Sequence, residues 1–375
     1  MASAIVCLVI LASNIWTISR WNESRGVYDD ICYLRQAHLF QKFGLGGLDT
    51  NIVRDDDHYL SSKLKAIGYP AWSDPAMAPC HSVMPATQRR VMQYPPGTGF
   101  MLALFPAGFQ VIPLYVLANV IVFGFALLGI FYARSGPSVP LTACFGFLAI
   151  YMMINPTKAS YSMAPTMVVC ALAGFLTARL FAHAPRESRL PLTLLLGLLL
   201  GFSVNLRLAN LFLAAGYCLF LLFAFLQIRK QAIFLRGIGF GVALLAGMSP
   251  TLVANWINAS SPFATTYGGP DVEPPALSLA IVWQYVSDMQ FVLLVLAAVS
   301  VGYFVRAGDS GVRRVAVIAA ANLAANLAFF LTHTAFTPYY TIPIAMLSLW
   351  SVAFAALMKP AEAVDESLVG QAVNA

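Results

Sequence analysis

The stretch VIPLYVLANVIVFGFALLGIFYA, residues 111–133, is 23 residues long and carries no charged side chain. A helix needs about 20 apolar residues to cross the hydrocarbon core of a bilayer. The rest of the chain has the same character, because 59% of its 375 residues are hydrophobic and only 10% are charged. Soluble domains carry about 25% charged residues. The sequence therefore predicts an integral membrane protein with the bilayer as a partner.

Further apolar segments of similar length predict an all-α, polytopic transmembrane helical bundle of about ten helices. The predicted spans are residues 3–19, 111–133, 139–155, 165–183, 190–205, 211–228, 237–257, 289–305, 315–331 and 341–358. Residues 100–109 are apolar but short, which favours an interfacial or re-entrant piece. We expect one transmembrane domain over 1–358, with a long first loop at 20–97 that carries short juxtamembrane helices, and a disordered cytoplasmic tail at 359–375.

Basic residues in the short loops are unevenly distributed. Most fall on one side of the predicted bundle, and only Lys158 and Arg207 fall in short loops on the other. The positive-inside rule then places both termini in the cytoplasm and the long loop outside. We expect the membrane to be a bacterial inner membrane. The net charge of +6 is interpreted as a topology signal, so no nucleic-acid partner is expected.

Two features of the long loop are candidates for a disulfide bond and for a metal site. Cys32 and Cys80 both lie there, and because their spacing demands no bridge we predict free thiols, with a disulfide as the alternative if the loop is extracytoplasmic. Asp55-Asp56-Asp57-His58 predicts a solvated turn, since consecutive residues cannot all converge on one ion. A divalent cation there is the alternative, and no cofactor is otherwise expected.

Two adjacent carboxylates, Asp29 and Asp30, open the long loop in the segment YDDICY, residues 28–33. Mutual repulsion and partial burial raise the pKa of one member of such a pair. A carboxylate near the membrane surface can take a proton from an acceptor hydroxyl or hold a metal ion. A solvated acidic turn explains the position equally well.

The acidic pair with its following Tyr resembles the opening of the first outer loop in the glycosyltransferase C superfamily. This superfamily includes the protein O-mannosyltransferases and the bacterial lipid A aminoarabinose transferases. Four further segments resemble superfamily motifs in the same order: YPPG at 94–97, GLLLGFSVNLR at 197–207, PFATTYG at 262–268 and FTPYYTIP at 336–343. The segments that resemble the superfamily are short, but they are spread over most of the chain.

The resemblance implies a polyprenyl-phosphate sugar as donor, Asp29 as general base and Asp30 as the second acidic position. Arg207, at the outer end of a helix, is expected to pair with the lipid phosphate, because an Arg fork suits phosphate oxygens. Lys158 is a second cation candidate, and Arg89 with Arg90 a third. The alternative for each is snorkelling to lipid headgroups. We favour that alternative for the Arg pair and function for Arg207, and leave Lys158 open.

Aromatic residues complete the predicted substrate-binding set: Tyr33, Tyr94, Tyr267, Tyr339 and Tyr340, together with His333. An interfacial aromatic belt is the alternative for the tyrosines, and a solvated helix end for His333. The sequence thus predicts a membrane glycosyltransferase of glycan biosynthesis in the cell envelope, which passes a sugar with inversion to a lipid, glycan or protein acceptor. The alternatives are a transporter or lipid flippase, which would place ionisable groups near the midplane, and a membrane scaffold.

Overall fold

The computed structural model describes residues 2–21, 28–133, 144, 146–149, 151–152, 160–183, 189–268, 273–333, 336–337 and 339–358, without the side chains of Ser3, Tyr28 and Asp29. Three predictions lie outside the described residues: the position of Lys158, the disordered tail, and most of the span at 139–155.

Helices dominate the described part of the chain, of which 76% is helical. Fourteen of them have described bounds: α1 (Ala2–Ile18), α2 (Tyr28–Phe43), α3 (Tyr59–Ala66), α4 (Pro96–Ala103), α5 (Val111–Tyr132), α6 (Met163–Ala178), α7 (Arg189–Leu206), α8 (Ala215–Ile228), α9 (Gln231–Gly247), α10 (Ser249–Ala259), α11 (Leu279–Ser287), α12 (Phe291–Ala307), α13 (Ser310–Thr332) and α14 (Thr341–Leu357). Shorter 3-10 turns lie at Gly44–Leu48, Ile52–Arg54, Pro75–Met77 and Leu208–Ala214, and a π turn at Arg179–His183 extends α6.

A two-stranded sheet in the long loop is a small exception to the predicted all-α class. Strands β1 (His81–Val83) and β2 (Arg90–Met92) pair antiparallel, with His81 opposite Met92. The hairpin closes through the backbone N–H of Met84, which donates to the carbonyl of Arg89 at 2.9 Å. The two strands give backbone groups of an otherwise irregular segment their hydrogen-bond partners.

The long apolar helices agree with a membrane protein. Within the described part of the chain, five helices can cross a bilayer by length and composition, or seven if each of two bent pairs counts as one span. One pair is α9 with α10, bent by 53°, and the other is α11 with α12, bent by 89°. Helices α1 and α14 are apolar but shorter. The number of ten spans stays a prediction.

The centre of the bundle is α14, which is buried on nearly every side. Its Trp350 packs against Gly174 of α6, where an added Cβ would lie 2.5 Å from the Trp350 Cβ. A helix that is apolar all round must be enclosed by others or by lipid. Here α6, α12 and α13 pack around it.

The hydrogen bonds between segments divide the bundle into two ends. At one end Thr98 donates to the carbonyl of Leu206 at 2.9 Å, and Thr266 donates to the carbonyl of Gln93 at 2.8 Å. We call this the loop end, because it carries the described part of the long loop. At the opposite end Arg314 donates to the carbonyl of Phe181 at 2.9 Å. The assignment of each loop to a side of the membrane stays a prediction.

Helices α7 and α9 approach closely through glycines. A Cβ on Gly201 would overlap the carbonyl oxygen of Leu244, and one on Gly247 would overlap that of Leu198. Without a hydrophobic driving force between helices in lipid, such small-residue contacts are a main source of packing energy. Gly241, also in α9, has no atom from any other described segment within 4 Å of its hypothetical Cβ.

We predict that Gly201→Ala destabilises the protein by about 1–3 kcal/mol, because the methyl group forces α7 and α9 apart. Gly241→Ala is the matched control, and should be neutral or stabilising by up to about 1 kcal/mol through helix propensity. Thermal unfolding in detergent measures both. Equal effects of the two substitutions would contradict the close packing.

Candidate functional site

The acidic pair begins helix α2 and does not form a free turn. Asp30 is only 2% exposed, and its Oδ1 accepts a hydrogen bond from the backbone N–H of Tyr161 at 2.8 Å. This bond ties the start of α2 to the residues that precede α6. For Asp30 the alternative of a solvated acidic turn is therefore wrong. The catalytic role of Asp29, whose side chain lies outside the described part, stays a prediction.

Arg207 occupies the corner where α7 ends and the 3-10 turn at 208–214 begins. Its side chain is buried, with 6% exposure. The guanidinium carbon lies 4.3 Å from the ring centre of Tyr339 and 4.4 Å from that of Tyr340, and Nη1 lies 3.5 Å from the sulfur of Met163. Snorkelling to headgroups is thus the wrong interpretation for Arg207, because the cation points into the protein.

No ion pair found among the described residues includes Arg207. The two tyrosine rings offer cation–π attraction, which is weaker than pairing with an anion. A buried cation with this environment is suited to an anionic ligand, since a ligand carboxylate or phosphate can make charge-assisted hydrogen bonds to the guanidinium.

A cavity of about 280 Å³, here the polar cavity, opens beside Arg207. Its wall contains all five of the predicted tyrosines: Tyr33, Tyr94, Tyr267, Tyr339 and Tyr340. The rings of Tyr33 and Tyr94 stack at 4.9 Å. The structure thus gathers tyrosines from four distant segments around one cation. An interfacial belt, in which aromatic rings face the lipid, does not describe this arrangement.

A second cavity of about 360 Å³, here the apolar cavity, shares Arg207, Gln93, Tyr267 and Tyr340 with the polar one. The rest of its wall is mainly apolar and includes Leu208, Leu211, Phe212, Met248, Leu252, Phe263 and Phe329. Met248 contributes from the break at which α9 and α10 bend. The guanidinium therefore lies where a polar and an apolar compartment meet.

His333 lines the apolar cavity and does not end α13 in solvent. It is 9% exposed, and its ring stacks on Phe329 with centres 5.6 Å apart. The solvated-end alternative is wrong for this residue. Its predicted role in substrate binding stays a prediction, now with a position close to Arg207.

Cys32 and Cys80 form a disulfide across 48 residues of sequence. The prediction of free thiols is therefore wrong. The reason is tertiary, because α2 and the hairpin segment bring the two Cα atoms to 6.6 Å, although nothing in the spacing requires it. Cys80 lies on the wall of the polar cavity, and its carbonyl accepts from the backbone N–H of Gln93 at 2.9 Å. The bond joins the two sides of that wall.

A buried pair that the sequence analysis missed, Arg35 and His81, supports the same wall. Arg35 donates from Nη1 to His81 Nε2 at 3.0 Å and to the carbonyl of Thr50 at 3.1 Å. His81 Nδ1–H donates to the carbonyl of Pro79 at 2.6 Å, so the imidazole is neutral. Burial, together with the charge of Arg35, lowers the pKa of His81 to about 3. Arg35 is one of several polar side chains in α2 and belongs to no motif, so the sequence carried no signal for this pair.

Arg89 and Arg90 line neither of the two cavities. Arg89 donates to Asp49 Oδ1 at 2.6 Å and to the carbonyl of Ile257 at 3.2 Å, and so links the long loop to α10. Arg90 belongs to strand β2. The structure gives Arg89 an architectural contact, and the site does not bring the Arg pair to Arg207.

The acidic run at 55–58 is paired with α2. Lys42 contacts Asp56 at 2.6 Å and Asp57 at 3.1 Å, and His38 contacts Asp57 at 2.7 Å. Burial raises the pKa of Asp57, but hydrogen bonds from His38 and Lys42 outweigh it and lower that pKa to about 2. The turn is thus an ion-paired contact and not simply solvated.

One group of three potential metal ligands converges in the described part of the chain: Cys32, Cys80 and His81. The two sulfurs are joined in the disulfide, and His81 Nε2 accepts from Arg35. These atoms therefore do not fit a metal ion.

Comparison of the chain with protein-family models, with curated proteins and with solved structures finds no match in any of the three. The resemblance to the glycosyltransferase C superfamily therefore rests on the sequence motifs.

We predict that replacing Cys32 and Cys80 together by Ser lowers the free energy of unfolding by about 2–4 kcal/mol, because the long loop loses its crosslink. Cys218→Ser, at a free and exposed cysteine, is the control. Chemical denaturation under non-reducing conditions measures the difference. Wild type treated with reductant should match the double variant, and a stability unchanged by both treatments would refute the role of the bridge.

Acid should destabilise the loop through His81. Its pKa is about 3 in the folded protein and about 6.5 in the unfolded chain, so the unfolded chain binds more protons between these values. Stability is therefore complete above pH 6.5 and falls as the pH drops below it, by about 2 kcal/mol between pH 7 and pH 5. The measurement is unfolding at both pH values for wild type and His81→Gln. An equal pH dependence of the two proteins would show that His81 does not titrate as inferred.

Proposed function

We propose that this protein is a membrane glycosyltransferase that moves a sugar from a polyprenyl-phosphate donor to an extracytoplasmic acceptor. The observation that carries the proposal is the position of Arg207 between the polar and the apolar cavity. A lipid-phosphate sugar has the same order of parts: an apolar chain, an anion and a polyhydroxylated head. The apolar cavity fits the lipid chain, Arg207 fits the phosphate, and the polar cavity fits the sugar.

In the proposed reaction an acceptor hydroxyl attacks the anomeric carbon of the donor sugar. The bond between that carbon and the phosphate oxygen breaks, and its electron pair leaves with the lipid phosphate. The hydroxyl proton passes to the carboxylate of Asp29. Arg207 stabilises the negative charge on the departing phosphate, and the tyrosines of the polar cavity hold the sugar by their hydroxyl groups. A single displacement of this kind inverts the anomeric centre.

The proposed orientation puts the loop end outside the cytoplasm and both termini inside. Two independent features support it. Arg314, in the second turn of α13, lies at the opposite end, and basic residues near the ends of spans mark a cytoplasmic face under the positive-inside rule. The disulfide at the loop end belongs in an oxidising compartment. A bacterial inner membrane, with the site facing the periplasm, satisfies both.

A lipid flippase is the second candidate, and the bent pairs favour it. Broken helices at a binding site are common in transporters, and the break between α9 and α10 lines the apolar cavity. The position of the two cavities argues against a flippase, because both are lined by residues at the loop end of the bundle. Transport would place the ligand near the midplane.

The test uses full-length protein in detergent. Arg207→Met should weaken binding of undecaprenyl phosphate by about 10–100-fold, since one charge-assisted contact contributes about 1.5–3 kcal/mol. The affinity of Arg207→Lys should lie between those of wild type and Arg207→Met, because lysine keeps the positive charge but lacks the paired N–H donors of a guanidinium. Arg54→Met is the control, as it removes a loop-end arginine that lines neither cavity. Unchanged binding by Arg207→Met would sink the proposal.

Turnover separates the enzyme from the flippase. Asp29→Asn should bind undecaprenyl phosphate like wild type, yet fail to transfer radiolabelled sugar from a polyprenyl-phosphate donor to membrane acceptors. Translocation of the donor across liposomes is measured in parallel. Translocation without transfer, unaffected by Asp29→Asn, would establish the flippase.

A further inference from the structure

The long loop encloses a third cavity of about 410 Å³, here the loop pocket, formed by residues between 52 and 78. Its volume lies within the range of about 300–1,000 Å³ that small-molecule sites occupy. The floor is apolar, because Leu60, Leu64 and Ala78 pack there with Ile31 of α2. None of the residues that line it belongs to the polar or the apolar cavity. It is therefore a separate compartment of the same loop.

The rim of the loop pocket carries an aromatic ring beside fixed hydrogen-bonding groups. Trp72 is 37% exposed, and the Nζ of Lys65 lies 4.7 Å from the centre of its ring. Asp55 accepts from the backbone N–H of Leu60 at 2.9 Å, and Asp74 accepts from that of Ala76 at 2.8 Å. These bonds hold both carboxylates in place without using all of their acceptor sites.

The combination points to one class of ligand. A sugar ring presents C–H groups that pack on an aromatic face and hydroxyl groups that donate to carboxylates. Carboxylates held in advance lose little freedom on binding, which favours affinity. The rim carries no excess of either charge, because Asp55 lies 3.8 Å from the buried Nε of Arg35 and Lys65 lies beside Trp72, so neither an anion nor a cation is favoured by charge. The chemistry therefore selects a neutral saccharide.

We propose that the loop pocket binds a neutral saccharide, separately from the cavities around Arg207. Its floor includes Ile31 of α2, and Tyr33, two residues further on and about 200° around the helix axis, lines the polar cavity. A glycan held in the loop pocket would lie on the opposite side of α2 from the donor. A role of the loop pocket as the anchor for a glycan acceptor rests on the proposed glycosyltransfer. Binding of a neutral saccharide in the pocket does not.

The experiment measures binding of neutral trisaccharides of glucose, mannose, galactose and arabinose to the full-length protein by saturation-transfer NMR. At least one should bind, and Trp72→Ala should weaken that binding by about tenfold or more, as removal of an aromatic anchor does. Trp72→Phe keeps an aromatic ring and should retain most of the trisaccharide binding. Asp74→Asn should weaken binding to a smaller degree. Trp283→Ala, at an exposed Trp of α11, is the control.

Two further comparisons make the outcome decisive. Arg207→Met should leave trisaccharide binding unchanged, so a failure of the proposed enzyme and a failure of the loop pocket are distinguishable. An oligolysine peptide is the rival probe for a rim with two carboxylates. Binding of that peptide in place of every trisaccharide, or trisaccharide binding unaffected by Trp72→Ala, would overturn the proposal.

Discussion

The buried charge of Arg207 is the constraint on which the arrangement of the loop end depends. Removing an ion from water costs several kcal/mol even after the protein relaxes. The rings of Tyr339 and Tyr340 return only part of that cost, since a desolvated cation–π contact contributes about 2 kcal/mol. None of the ion pairs among the described side chains includes Arg207. A buried cation that is compensated only by aromatic rings attracts an anion, whereas pairing with a carboxylate would cancel most of that attraction.

The cation can act only if the wall opposite it is fixed. That wall comes from a long loop, and such loops are ordinarily mobile unless their own contacts hold them. Here the disulfide joins α2 to the hairpin, and Arg35 crosslinks α2 to Thr50 and His81. Lys42 and His38 hold the acidic run against the same helix. The loop is thus anchored through α2, the helix that also carries Asp30 and Tyr33.

The tyrosines around Arg207 could be selected from the sequence through the motifs that resemble the superfamily, although Tyr33 and Tyr94 lie well inside the long loop. Once the apolar spans are placed, segments at corresponding helix ends must share one face of the membrane. The pairing of Cys32 with Cys80 could not be predicted in this way. It depends on how residues 28–94 fold on themselves, and hydrophobic periodicity says nothing about contacts within a polar segment. The Arg35–His81 pair lies in the same segment. Acidic residues in the first turn of a helix are favourable, so the start of α2 at the acidic pair was a missed signal.

The contacts of Asp30 indicate which roles Asp30 and Asp29 can each have in the proposed reaction. A general base must reach the hydroxyl proton within hydrogen-bond distance of a substrate. Asp30 is 2% exposed, and its Oδ1 already accepts the N–H of Tyr161, at the edge of a segment whose Ser160 lines the polar cavity. An acceptor hydroxyl would have to displace that contact to use the same atom. Asp30 is therefore better suited to position the Ser160 wall of the cavity against α2, and the proposed mechanism assigns the proton to Asp29. Under this division, loss of Asp30 should disturb donor binding and turnover together, whereas loss of Asp29 should affect turnover alone.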